Sequence, residues 1–172
     1  MARKSLLIAN PFDNNHIGLI NSYEKEHNLN KAITERLCAI RNSNQQQEYE
    51  SSIRKNTEFE QFVFIKEGET ITSGCELHGY RDIKSCYLTL LPSNSQKSKK
   101  ALIQAITQYS FQGLGMEEIF ISINSDDNST ALAIIESGYE DLGEESGITS
   151  YMADKNNYLK MEGLLDGNNK KY

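Results

Sequence analysis

The sequence predicts an α/β domain, and three observations carry that prediction. Apolar blocks at residues 59–65 and 70–77 flank Lys66-Glu67-Gly68-Glu69, which reads as a hairpin of two antiparallel strands. A short apolar block at residues 86–91, stopped by Pro92, is followed by a helical period over 101–112 and a second apolar block over 118–124, a strand–helix–strand order. Two more strand-like segments, 140–144 and 148–153, meet at Ser146-Gly147.

Taken from the N-terminus, residues 4–9 form the first strand, broken at Asn10-Pro11. Asp13-Asn14-Asn15 starts a helix whose apolar residues keep to one face through Tyr23. Asn28-Leu29-Asn30 ends it, with Asn30 the cap expected for a second helix carrying Ala32, Ile33, Leu37 and Ile40 on a helical period. Residues 41–57 are polar, and composition leaves an exposed helix and a loop equally open. The hairpin follows, and His78-Gly79-Tyr80-Arg81-Asp82 reads as the turn into the fourth strand. Ser93 to Lys100 reads as a polar loop before the helix, and Gly113-Leu114-Gly115 closes that helix. A second short helix is expected over 129–137, ended by Gly138. From Asp154 the chain reads as a polar tail that frays. The expected organisation is one domain over residues 1–160 and a tail over 161–172.

Composition narrows the function classes. The chain has 172 residues, enough for one sizeable core, and a net charge of −6, which argues against a general nucleic-acid binder and suits a cationic partner. No apolar run approaches the ~20 residues of a membrane span, and the apolar stretch near the N-terminus is too short for a secretory signal. Cys38, Cys75 and Cys86 lack metal-type spacing and are odd in number, so the expectation is no metal, no disulfide framework and a reducing, cytoplasmic setting.

A loop that opens a helix directly after a strand presents free backbone N–H groups to an anion. Here that loop follows Leu90-Leu91-Pro92 and runs from Asn94 into Lys97, Ser98, Lys99 and Lys100. The helix, a strand, Asn128 with Ala131, Leu132 and Glu136 behind it, and the pair Gly138-Tyr139 come next. This order and spacing resemble the GNAT superfamily of acyl-CoA-dependent N-acyltransferases. The resemblance implies a mixed, mostly antiparallel central sheet of six to seven strands with helices on both faces. It implies acetyl-CoA as cosubstrate, a small-molecule or peptide amine as acceptor, transfer by direct attack, and leaves a homodimer open. The family's phosphate cradle carries glycines, whereas this chain has Asn94, Lys97 and Lys99 in that register. Where many members have a catalytic tyrosine, seven residues past the asparagine, it has Ile135. A CoA-binding module without transfer activity, and an interaction protein of the same fold that takes no cofactor, therefore stand as alternatives.

Each singled-out residue has a functional and a plain reading. Lys97, Ser98, Lys99, Lys100 and Ala101 would bind the CoA phosphates, or else form a solvated loop; lysines at a helix N-terminus oppose the macrodipole unless an anion lies between them. By resemblance, Leu90 and Leu91 would offer main-chain groups to the pantetheine arm and Asn128 a side-chain amide, although Asn128 also suits a helix cap in competition with Asp126 and Asp127. Glu76 and His78 share one strand face, and either is a candidate general base working through water; the alternative is an exposed strand face. Tyr139 is a candidate general acid at the thioester or a packed core aromatic. His16 and His27 read as surface residues, and Cys86 as a buried thiol without a nucleophile's companions.

Overall fold

The computed structural model describes residues 3–163 of the chain. Seven strands form one mixed sheet in the order β1-β2-β3-β4-β5-β7-β6: β1 (Lys4–Ile8), β2 (Glu58–Glu67), β3 (Thr70–Tyr80), β4 (Ser85–Leu90), β5 (Glu118–Asn124), β6 (Glu140–Glu145) and β7 (Ile148–Asp154). The β4–β5 pair is parallel and the other five are antiparallel. The parallel pair needs a long crossover, and α4 (Gln96–Gln108) supplies it, extended by a π-helical turn at Tyr109–Gly113.

Each face of the sheet has its own core. On one, Val63, Leu77, Leu88 and Ile121 meet Ile103 of α4 and Ile134 of α5 (Asn128–Glu136), all buried. On the other, Phe62 and Phe64 meet Ile20 and Tyr23 of α1 (Asn14–Glu26) and Ile33 and Leu37 of α2 (Ala32–Ser43). The period-two alternation of β2 feeds both cores at once.

Several expectations are corrected locally. Asn30 does not cap α2: Lys31 occupies the cap position in a left-handed conformation (φ 59°), and the buried carboxylate of Glu24 accepts from the N–H groups of Ile33 (2.9 Å) and Thr34 (3.2 Å). The polar segment after α2 forms α3 (Gln46–Lys55), which buries none of its side chains and is held by Tyr49 against Phe12 and by Arg81 bonded to the carbonyls of Ile53 and Asn56. His78, Gly79 and Tyr80 are not a turn but the end of β3, because that strand is paired with β2 on one side and β4 on the other up to Tyr80. Gly79 fits there because the Phe59 ring fills the space a Cβ would take, at 2.3 Å. The α4 helix begins at Gln96 rather than residue 101: the hydroxyl of Ser95 accepts from the Ser98 N–H (3.0 Å), and that cap outweighs the unfavourable lysines. Asp154 ends β7 and caps α6 (Lys155–Met161), so the chain does not fray at this point. Of the expected tail at 161–172, residues 164–172 lie outside the described residues.

Candidate cofactor cleft

The main feature of the sheet is a gap between its two parallel strands. Residues Ser85 to Leu88 of β4 are in register with Glu118 to Ile121 of β5, and there the pairing stops. Beyond it each strand keeps its outer neighbour: Thr89 and Leu90 stay opposite Glu76 and Cys75 of β3, while Ser122 to Asn124 stay opposite Ser150 to Ile148 of β7. Past Leu90 the chain still follows β3, since Leu91 N–H donates to Gly74 (2.8 Å) and Asn94 N–H to Thr72 (2.9 Å). The two strands are thus pulled apart from both sides.

The alternation of a strand makes the gap chemically specific. Leu91 directs its N–H at β3, so Leu90, one residue earlier, turns its N–H and C=O toward the gap, where β5 offers it no paired residue. These groups are suited to a ligand carrying amides of its own. The gap opens into a cleft of about 440 Å³ whose walls include Leu90, Leu91, Lys99, Asn124, Asp127 and Thr130. The N-termini of α4 and α5 both end at it, and their orphan N–H groups favour anions.

Lys99 bridges the two helices, its Nζ donating to Thr130 Oγ1 (2.8 Å). Thr130 in turn donates its hydroxyl (2.7 Å) and its N–H (3.2 Å) to Asp127, the cap of α5. Partial burial raises the Asp127 pKa, but the Thr130 hydrogen bonds and then the Lys99 charge outweigh it and hold the carboxyl below its ordinary value.

The expected site residues divide between this cleft and elsewhere. Leu90, Leu91 and Lys99 line it. Lys97 is exposed in the first turn of α4, and Ser98 has given its N–H to Ser95. Leu91 uses its own N–H on Gly74, so the free main-chain groups are those of Leu90 alone. Lys100 points to the far side of α4 and pairs with Glu136 (3.2 Å), and Ala101 faces the groove between α4 and α6. Asn128 is exposed at the first position of α5; Asp127 has the cap, and Asn124 is the asparagine that lines the cleft. Asn124 and Thr130 were missed by sequence reasoning; the one available signal was Asp127 beside Asp126 as a rival cap.

Glu76 and His78 do share a face, the one that also carries α1 and α2. Glu76 sits directly across the sheet from Thr89, which lines the cleft, and accepts from Arg36 Nη1 (3.1 Å). His78 is one step further down, between Glu58 (2.5 Å) and Glu60 (3.4 Å). Tyr139 is a correction: it is 4% exposed, its hydroxyl bonds Thr107 Oγ1 (2.6 Å), and burial drives its pKa far up, so it is a core residue away from the cleft. Ile135, in the family's tyrosine register, is exposed. Burial also pushes the Cys86 thiol up to about 12 and Cys75 higher still, which leaves both inert as nucleophiles. Among the described residues no group of three or more His, Cys, Asp or Glu is placed to hold a metal ion, and no helix is long and apolar enough to cross a membrane.

A seven-stranded mixed sheet, split at its parallel pair and flanked by helices on both faces, is the GNAT acyl-CoA N-acyltransferase fold, and this chain has it. Solved structures of that fold superpose over nearly their whole length. The N-acetyltransferase PseH from Campylobacter jejuni, in complex with acetyl coenzyme A, matches with a TM-score of 0.61 at 12% identity, over 89% of this chain and 99% of its own. A mutant form of the spermidine N-acetyltransferase SpeG from Vibrio cholerae matches with a TM-score of 0.63 at 15% identity, over 92% and 99%. No family model matches this sequence, and no curated protein matches it. At such identities the likeness is one of fold.

Proposed function

We propose that this protein is an acetyl-CoA-dependent N-acetyltransferase acting on a small cationic amine. The observation that carries the reading is the β4–β5 gap: unpaired main-chain groups of Leu90 open onto two helix N-termini bridged by Lys99. Acetyl-CoA supplies an activated acetyl thioester. In that cleft Leu90 N–H and C=O would pair with the amides of the pantetheine arm. The N–H groups of Gln96 and Lys97, left over after Ser95 has capped Ser98, and the ammonium groups of Lys97 and Lys99 would hold the phosphates. Acyl transfer forms a C–N bond and breaks a C–S bond; the amine loses a proton and CoA leaves as the thiol. Glu76, paired across the sheet with the cleft-lining Thr89, is the group to take that proton through water, with His78 the second candidate. That a solved structure of this fold is a complex with acetyl coenzyme A supports the cofactor, and the spermidine N-acetyltransferases of this fold support a small amine as acceptor.

A second reading, a CoA-binding module without turnover, draws on Ile135 standing exposed where a tyrosine is common and on Tyr139 being sealed in the core. Calorimetric titration with acetyl-CoA and with CoA at two salt concentrations, followed by thiol release over an amine panel, separates them. Micromolar binding that weakens with salt and with Lys99→Glu, with thiol release, supports the transferase. Binding without release favours the module, and no binding of either nucleotide overturns both.

A further inference from the structure

The helices α1 and α2 cover only the β1–β3 side of their face, and the uncovered part carries a row of rings. His78 stacks on Tyr80 (4.9 Å between centroids), Tyr80 meets Tyr87 edge-on (6.1 Å), and Tyr87 stacks beside Phe120 (5.1 Å, 18° between planes). Tyr87 is 47% exposed, although Cys86 and Leu88 on either side of it in β4 are buried on the opposite face. The row runs across three adjacent strands and ends one strand step short of the cleft. Tyr87 and Phe120 are a registered pair, and the next residues on the same face, Thr89 and Ser122, are the ones that part company and line the cleft. The step between them is two residues, about 7 Å along a strand.

Charge flanks the rings on the same face. Glu58, Glu60 and Glu76 lie beside them; one guanidinium, Arg36, is shared between Glu60 and Glu76, and His78 lies between Glu58 and Glu60. Three carboxylates against one fixed cation leave this margin negative, complementary to an ammonium, and aromatic faces add attraction for a cation.

We propose that this shelf is the acceptor subsite and that it selects an arylalkylamine: a flat ring lying on Tyr87 and Phe120, joined by a short alkyl tether to an amine held beside Glu76 and Thr89 at the mouth of the cleft. The inference rests on the transferase reading and deepens it by naming the acceptor class. Tyr87 and Phe120 are specificity-determining residues, since they hold the ring and not the reacting nitrogen. The tether spans the step from rings to cleft, so ring stacking sets the register of the nitrogen.

The test compares phenethylamine with 2-cyclohexylethylamine, alike in size and charge but with a puckered ring, using the full chain. The expected result is a kcat/KM about tenfold higher for the flat ring, with Tyr87→Ala lowering kcat/KM about tenfold for phenethylamine and Tyr87→Phe restoring it. Saturation-transfer NMR of phenethylamine on the chain, with and without CoA, reads the ring contact separately from turnover. A signal lost in Tyr87→Ala supports the shelf even where no thiol is released, and failure of CoA binding sinks the transferase reading without touching this measurement. Equal handling of both amines, no phenethylamine signal in either state, or a self-associating chain that Tyr87→Ala converts to monomer overturns the proposal; the last would assign the rings to a second copy.

Discussion

Tyr139 and Glu24 show how a polar atom is made safe inside this protein. The Tyr139 hydroxyl shares a hydrogen bond with Thr107, whose own hydroxyl also reaches the Ile103 carbonyl (2.6 Å). Removing it by Tyr139→Phe is expected to cost about 0.5–1.5 kcal/mol in urea unfolding and to leave acetyl transfer unchanged. Near-native stability with lost turnover would return Tyr139 to the chemistry. Glu24 caps α2 from the end of α1, receiving two N–H groups and the Thr34 hydroxyl. Glu24→Ala leaves the buried Ile33 N–H and the half-buried Thr34 donors without that partner, and a loss of about 1–3 kcal/mol is expected. Asp127 gives a signed pH prediction. Its folded pKa lies below the ordinary 3.8, so its contribution is present above that value and is lost as the pH falls through the folded pKa. The stability gap between wild type and Asp127→Asn, which keeps a capping side chain and removes the charge, should therefore close in acid. A gap that persists below the carboxylate range would show that Asp127 acts by shape rather than charge.

The unit formed by β4, its loop and α4 behaves as one element with two sides. Lys97 stands at its exposed tip and Lys99 faces the cleft, whereas Lys100 is committed to Glu136 on the opposite flank. On the proposed function, Lys97→Glu and Lys99→Glu should each weaken CoA binding about tenfold at low salt, and Lys100→Glu much less. Equal losses in all three would mean a diffuse field rather than a cradle. Gly74 links this unit to the sheet: its carbonyl receives Leu91, and a Cβ there would meet the Phe64 ring at 2.3 Å. Gly74→Ala should cost about 1–3 kcal/mol by overpacking and weaken CoA binding as well, because a displaced β3 displaces the loop that follows it. Thermal melts with and without CoA read both effects.

Across the molecule the net charge of −6 and the acidic margin around the rings imply attraction for cations at long range. Raising salt should thus lower amine capture and phosphate binding together, although the two ligands have opposite charges. The sequence carried local information well. Alternating apolar residues marked the strands, and period-3.6 stripes marked α1, α2 and α4, because each pattern records which side of its own element is buried. It carried the strand–helix–strand order from which the cleft could be expected. It misread the end of β3, where His78-Gly79-Tyr80 looks like a turn until β2 and β4 pair with it, and the start of α4, where lysines conceal a serine cap. The cleft itself had no local signature. It exists because β4 is held by β3 and β5 by β7 beyond the point where the two face each other, a balance of pairings between segments far apart in the chain. The same holds for the choice of Asn124 over Asn128 and for the row of rings from Tyr80 to Phe120: strand register across the sheet, which no single segment encodes, decides which side chains meet.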